Sequence, residues 1–477
     1  MKLQKFYFLL CVLVAHSMVN MYASSYGRAP QGGVVITPST LSTVIASYVQ
    51  PITTAGLIDQ SFGAKGTVTT DVTGHNSVAY SCLVQPDGKI VVVGKGNNGV
   101  HDEMIVARYN SDGSLDTSFG INGVVKTDAG TNGSVAASCG MQSDGKIVVA
   151  GWESDLGLGY SIFAVARYNT NGSLDTTFGT NGIATTNVTT GNNSYANATS
   201  CIVQPDGKII ASGKGNLGGG HDVMALVRYN GNGLVDTAFG TAGIVTTDAG
   251  GIASVVGSSL LLPNGKIVAV GWQSNGVYTI FTLVRYNSNG LVDTTFGTGG
   301  AVTTDVTLGH SSQAYSALLQ PDGKMIAVGV ANSLFALVRY NSDGSRDTTF
   351  GNGGIVTTDA TPGAASQANC CALQADGKIV AVGQGNNQFV VSRYNTDGSR
   401  DTTFGAGGIV TTSAATIGVR TTAALANGCA LQPDGKIVSV GYTYTTLNID
   451  GLFASARYIN PFTLASFTAS YGGVGVL

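Results

Sequence analysis

Apolar residues in this chain come in short β-branched runs, each cut off by a cluster of Gly, Asn or Asp. Ile90-Val91-Val92-Val93-Gly94 is one such run, and it follows the polar stretch Gln85-Pro86-Asp87-Gly88-Lys89. Runs of this length and make-up predict strands, and Pro-Asp-Gly between two of them predicts a tight hairpin. Proline pre-sets the first turn residue and glycine takes the positive φ. The turn then recurs. Its glycine stands at Gly88, Gly145, Gly207, Gly265, Gly323, Gly377 and Gly435, at spacings of 54 to 62 residues. A period of that size marks one supersecondary unit, copied and stacked.

Each unit reads as four segments, shown here by the first. A strand leads to the turn (Tyr80 to Gln85), a second leaves it (Lys89 to Gly94), and a third runs to Arg-Tyr-Asn (Met104 to Asn110). The fourth segment holds Asp-Thr-x-Phe-Gly followed by Gly-x-Val-x-Thr (Asp116 to Thr127). Asn110 to Gly113 supplies another turn by the same chemistry. No helical period lies between the runs. Four short antiparallel strands repeated seven times predict an all-β fold, a seven-bladed β-propeller of four-stranded antiparallel blades. Each sheet then buries both faces on its neighbours.

The repeated Leu-Gln-Pro-Asp-Gly-Lys-Ile-Val-x-x-Gly, Arg-Tyr-Asn-x-Asp-Gly-Ser and Asp-Thr-Thr-Phe-Gly-x-x-Gly pattern resembles the delta-60 repeat of bacterial surface and secreted proteins, over residues 57 to about 458. The resemblance implies a propeller, distantly similar in layout to NHL-type blades. It implies no particular activity.

The two ends of the array do not match. The Phe-Gly segment has clear copies at Phe62, Phe119, Phe178, Phe239, Phe296, Phe350 and Phe404, and a worn one at Tyr471 to Gly475, against seven Arg-Tyr segments. The surplus predicts that residues 57–70 complete the last blade, so that an N-terminal strand closes the ring. A longer period lies inside the shorter one. Units one and three share Gly-Lys-Gly-Asn (from Gly94 and Gly213) and Asp/Asn-Val-Thr (from Asp71 and Asn187). Units two and four share Asp-Ala-Gly (from Asp128 and Asp248) and Gly-Trp (Gly151-Trp152 and Gly271-Trp272). A duplicated pair of blades accounts for this.

Ahead of the array, residues 1–23 read as a signal peptide: Lys2 and Lys5, then an apolar run from Phe6 to Ala15, with small residues at Ser17 or Ala23 for cleavage. Ten apolar residues are too few to span a bilayer, so no stable membrane span is expected. Leu9-Leu10 before Cys11 is a poor lipid-attachment context. A buried N-terminal strand is the other reading, but no later unit contains its like. Residues 24–56 form a lead-in, and the propeller is expected over 57–477. The protein is therefore expected to be secreted or held in the cell envelope.

Composition narrows the function. The 477 residues are 43% hydrophobic and 11% charged with 68 glycines, too apolar for disorder and too glycine-rich for a helical protein. Net charge is −3, and 14 of the 24 basic residues are the repeated Lys of the turn and Arg of Arg-Tyr, which leaves no basic patch for nucleic acid. A monomer is expected.

In a meander, alternate connections share a face. The two near-constant turns therefore share one face and the two variable connections the other, where function is expected. His75, His101, His221 and His310 lie in the variable loops, and Trp152, Trp272 and Tyr442 open the later one. These seven are the candidate ligand contacts; the competing reading is that they pack the loops. Ring-related histidines diverge, so neither a metal nor a catalytic site is expected, and no cofactor. Nucleophile elbow, paired carboxylates and phosphate loop are all missing from the sequence.

Asn110 to Asp116 resembles a calcium loop but starts without aspartate and reads as a hairpin. One Arg per unit (Arg108 to Arg457) against one Asp (Asp116, Asp175, Asp236, Asp293, Asp347, Asp401) predicts a structural pair in each blade, with an anion channel as the alternative. Cys82, Cys139, Cys201, Cys371 and Cys429 fill one slot, taken by Ser259 and Ala317 in the other units. Equivalent positions on neighbouring blades should be too far apart to bond, so free buried thiols are expected, with Cys370 as an extra.

The reading is a secreted binding module whose unknown protein or glycan partner meets the variable-loop face. Alternatives are a hydrolase, lactonase or lyase at the channel mouth, or a lectin using Trp152, Trp272 and Tyr442. The balance leans away from an enzyme.

Overall fold

The computed structural model describes residues 55–130, 132–155, 160–188, 195–218, 220–417, 421–445 and 451–460. The signal peptide of residues 1–23, most of the lead-in and the worn copy at 471–475 lie outside them.

In the first unit the hairpin forms as its turn dictates. Ser77–Val84 pairs with Ile90–Asn97, which pairs with Asp102–Tyr109, which pairs with the short Val124–Thr127, all antiparallel. Gly88 takes φ 83°, and Asp87 accepts the Lys89 N–H at 3.1 Å. A bulge in the first strand, between Ala79 and Ser81, recurs at the same place in every unit. Gly94 in the second strand tolerates no side chain, since a Cβ there would lie 2.0 Å from the Val78 carbonyl oxygen.

The chain is an all-β propeller of four-stranded antiparallel sheets. Among the described residues there are 28 strands in six sheets, five of four strands and one of eight. The larger sheet is two four-stranded sets joined at a single bridge, Asp222 to Ala253. One short helix, Ala414–Ile417, follows the strand Ile409–Ser413. The last set takes its fourth strand from the start of the chain: Thr67–Thr70 pairs with Gly451–Tyr458.

Each apolar cluster mixes residues from adjacent units. Val91, Val93 and Met104 pack with Ile147 and Val149 of the next unit, and Val92 and Ile105 pack with Val438, Val440 and Phe453 of the last. First strands touch first strands along the whole array, and Thr421–Leu431 of the last unit lies against Ser77–Val84 of the first.

Polar groups fasten the same interfaces. Each Arg-Tyr arginine pairs with an aspartate at 2.6–2.9 Å, and each turn lysine joins that aspartate at 2.6–3.3 Å. The guanidinium also lies over the Phe-Gly phenyl ring, 4.4–4.7 Å from its centre. The pairs are buried, and in six of the seven the arginine Nε donates to the aspartate. Arg393 and Asp401 lie 2.8 Å apart without hydrogen-bond alignment. These arginines therefore do not line an anion channel. The seventh aspartate, missing from the six read in the sequence, is Asp59, which pairs with Arg457 across 398 residues. Each tyrosine beside the arginine reaches out of its unit: Tyr168 donates to Thr127, and Tyr109 to Thr70 beside the last unit.

Burial opposes ionisation of Asp59, but the hydroxyl and amide of Ser61, then Arg457 and Lys436, outweigh it and hold its pKa at about 2. Asp401 is held at about 2 in the same way by Thr403 and Lys378. These folded values lie below the unfolded value of about 3.9. Their stabilisation is therefore complete above about pH 4 and is lost as pH falls towards about 2. Urea titrations at stepped pH should show that decline, and stability level down to about pH 2 would count against the pairs. Replacing Arg339 with alanine leaves buried Asp347 with Lys324 and Thr349 but without its guanidinium and should cost about 3–5 kcal/mol, read from the urea midpoint.

Candidate functional site

The two faces are built differently. On the turn face each unit grips the next: Arg108 Nη1 donates to the Thr170 carbonyl at 2.6 Å, Gly120 N–H to Asn171 at 2.8 Å, and Gln142 to Gly207 at 3.1 Å. Its carboxylates are in use. Asp112 accepts the amide and hydroxyl of Ser114 at 2.9 and 2.7 Å, so Asn110 to Asp116 is a hairpin turn with its carboxylate occupied.

Both faces expose apolar side chains, Ile121, Leu234 and Leu291 on the turn face and a larger set on the variable-loop face. Val100, Leu217, Ile252, Val277 and Leu308 stand on its loops, 55–87% exposed. Around them lie charged pairs. Lys95 meets Asp102 at 2.7 Å and Lys214 meets Asp222 at 3.1 Å, the equivalent place two units on. Asp222 also accepts from the Tyr195 hydroxyl at 2.9 Å and Asn216 at 2.7 Å, while Lys214 lies 4.5 Å from the centre of the Tyr195 ring.

The candidate histidines divide. His101 Nε2 lies 3.1 Å from Asp128 in the loop that opens the next unit. His221 faces Asp248 at 3.3 Å in the equivalent place, without hydrogen-bond alignment. His75 is exposed and its ring approaches Gly99, so it shares a neighbourhood with His101. His310 is exposed, and its amide closes a turn onto Thr307.

Trp152, Trp272 and Tyr442 are not loop residues, and this corrects the sequence reading. They sit inside second strands, between Val135 and Phe163, Val255 and Phe281, and Leu425 and Phe453. Gly151, read as the end of a strand, is a strand residue whose Cβ would strike the Val135 carbonyl oxygen at 1.8 Å. All three aromatic residues are half-buried, as are Lys95 and Lys214 at the same rank. Burial, then the neighbouring Tyr444, pushes the Tyr442 hydroxyl up to about 12, so it is no base at neutral pH. The two rings meet edge to face at 5.3 Å.

Sequence reasoning missed the apolar tips, Lys95 with Asp102, and Asp128 and Asp248 as histidine partners. The doublet carried a signal for the last two, since His-Asp marks units one and three and Asp-Ala-Gly the units that follow. Open grooves of about 290–890 Å³ lie between fourth strands and the next unit's turn, as at Val124 to Thr127 with Asn171 to Leu174, and Leu308 lines the one of about 890 Å³.

Residues 85–119, 142–178, 204–239, 262–296, 320–350 and 374–404 match the family model described as a domain of unknown function (DUF5122) beta-propeller. This is a propeller-repeat chain. Each matched repeat runs from its Asp-Gly turn to its own Phe-Gly. The unit starting at Gln432 is not among them, and its aspartate and phenylalanine, Asp59 and Phe62, lie at the other end of the sequence. No curated protein matches the chain.

Among solved structures, the repeat array is similar to polysaccharide lyase Uly1 (11% identity, TM-score 0.43, covering 86% of this chain and 93% of that one). It is also similar to a calcium-binding regucalcin from Agrobacterium tumefaciens (12%, 0.37, 84% and 97%) and to the propeller domain of the Trilobed protease from Pyrococcus furiosus (11%, 0.39, 82% and 98%). The likeness concerns the fold alone. No helix among the described residues is long and apolar enough to cross a membrane.

His101→Ala removes an exposed pair and should change stability by no more than about 1 kcal/mol. Asp222→Ala leaves three donors without their acceptor and should cost about 2–3 kcal/mol. Chemical denaturation of the two variants compares them directly.

Proposed function

We propose that this chain is a secreted, monomeric, seven-bladed propeller of the delta-60 kind, closed by its N-terminal strand, which binds a protein or glycan partner through the variable-loop face. The pairing of Thr67–Thr70 with Gly451–Tyr458 supports closure, as does the Arg457–Asp59 pair. The eight-stranded sheet counts as two blades because one bridge joins its halves. Lys2, Lys5 and the apolar run from Phe6 support export. The exported protein should begin shortly after residue 17 or 23, which N-terminal sequencing reads.

The observation that carries the binding role is the set of exposed apolar tips on the variable-loop face, which outnumbers the Ile121, Leu234 and Leu291 of the turn face. Exposed Val100, Leu217, Ile252, Val277 and Leu308 stand among charged and aromatic groups on one face, in the manner of an interface with apolar anchors and a polar rim. His75, His101, His221 and His310 belong to that rim, while Trp152, Trp272 and Tyr442 form half-buried walls below it.

The test compares two triple variants on glycan arrays and in capture from the cell envelope. Ile252→Ser with Val277→Ser and Leu308→Ser should melt as the parent does and lose binding by tenfold or more, about 1.4 kcal/mol. Ile121→Ser with Leu234→Ser and Leu291→Ser, on the turn face, should keep it. The opposite pattern would place the binding face on the wrong side.

A further inference from the structure

We propose that Cys370 and Cys429 form a disulfide that staples the sixth unit to the seventh. Two observations meet at this pair. The first is a recurring contact between first strands. The residue beside the cysteine slot is Ser81, Ser138, Ser200, Ser258 and Ser316 in units one to five. Its hydroxyl faces the slot of the next unit: Ser138 Oγ accepts the Cys201 N–H and Ser200 Oγ the Ser259 N–H, both at 3.1 Å. Ser81 Oγ lies 3.9 Å from Cys139 Sγ, and Ser316 Oγ lies 3.5 Å from Cys371 Sγ.

The second observation is that unit six breaks the series. Cys370 stands where the others have serine, and its sulfur accepts the Cys429 N–H at 3.1 Å and lies 2.8 Å from Cys429 Sγ. A bonded pair sits at about 2.05 Å, so a shift of under an ångström joins them. The expectation of separated cysteines concerns equivalent slots; Cys370 is one residue out of step with its own slot and meets Cys429 across the interface. Cys82, Cys139, Cys201, Cys370 and Cys371 are half-buried as residues and Cys429 is buried, and burial pushes the thiols of Cys82, Cys139, Cys201 and Cys371 up.

The chemistry needs an exchange partner, a small or protein disulfide RSSR. Cys370 is the nucleophile, because the Cys429 thiol and amide both donate to its sulfur and hold its pKa below that of an ordinary thiol, while that of Cys429 is pushed well above. The Cys370 thiolate attacks RSSR, forms a mixed disulfide and expels RS⁻. Cys429 then loses its proton, attacks the Cys370 sulfur and expels the second RS⁻. Two protons and two electrons leave the protein, and RSSR becomes two RSH. The new bond closes a loop spanning 59 positions across the interface where the last unit docks.

The full chain is incubated with oxidised glutathione, blocked with N-ethylmaleimide in denaturant and digested with trypsin. The peptide of residues 347–378, carrying one N-ethylmaleimide on Cys371, should appear joined to that of 421–436, about 2 Da lighter than the two peptides with that one adduct and free thiols elsewhere. The link should survive Cys371→Ser and vanish in Cys370→Ser. The latter variant should fold, since serine holds that position in five other units. Reduction should lower the melting temperature of the parent and leave that of Cys370→Ser unchanged. Unlinked peptides from folded parent protein, or a link persisting in Cys370→Ser, would overturn the proposal.

Discussion

A buried arginine that cannot be satisfied within its own sheet holds this molecule together. Arg285 Nε pairs with Asp293 at 2.6 Å, its plane covers Phe296, and its Nη1 donates to the Ser342 carbonyl of the following unit at 2.5 Å. Taking a guanidinium out of water is tolerable only when its charge and its donors all find partners. Here one of those partners belongs to the neighbour. A sheet that folds alone therefore strands a cation, and packing the next sheet against it completes the shell. The lysine of the Asp-Gly turn ties the hairpin tip to the same aspartate, so turn, third strand and Phe-Gly segment share one buried carboxylate.

This dependence makes the two faces unequal. The arginine shell lies on the turn face, where residue identity is dictated by the neighbour. The opposite connections also hold Asx turns and a few inter-unit carbonyl contacts, such as Ser366 N–H to Ser333, but they carry no arginine shell and differ in length and content from unit to unit. Apolar tips and charged pairs are tolerated there because nothing structural displaces them.

Most of the architecture was legible because it is written in local chemistry. Pro86-Asp87-Gly88 names its own turn, and one Arg per Asp names a pair. What escaped the sequence was long-range or out of step. Asp59 stands 398 residues from Arg457 and looks like part of a lead-in until Thr67–Thr70 is seen paired with Gly451–Tyr458. Trp152 reads as a loop opener because glycine usually breaks a strand, whereas Gly151 is there to let two strands approach. Cys370 reads as surplus because the repeat relates equivalent positions, and its neighbour Cys429 is at a non-equivalent one. The apolar tips gave no signal, since a single Val or Leu in a loop has no period.

The doublet shows how the loop face is assembled. His101 belongs to unit one but meets Asp128, which opens unit two; His221 and Asp248 repeat the arrangement in units three and four. A histidine from one repeat meets an aspartate from the next, so over units one to four the loop contacts repeat with a period of two blades, whereas the arginine shell repeats with every single one. Two periods laid over one scaffold mean two sets of constraints: the shorter maintains packing, and the longer preserves contacts between loops of adjacent units. A surface built from such paired loops spans the seam between sheets, so what it presents to a partner belongs to no single repeat.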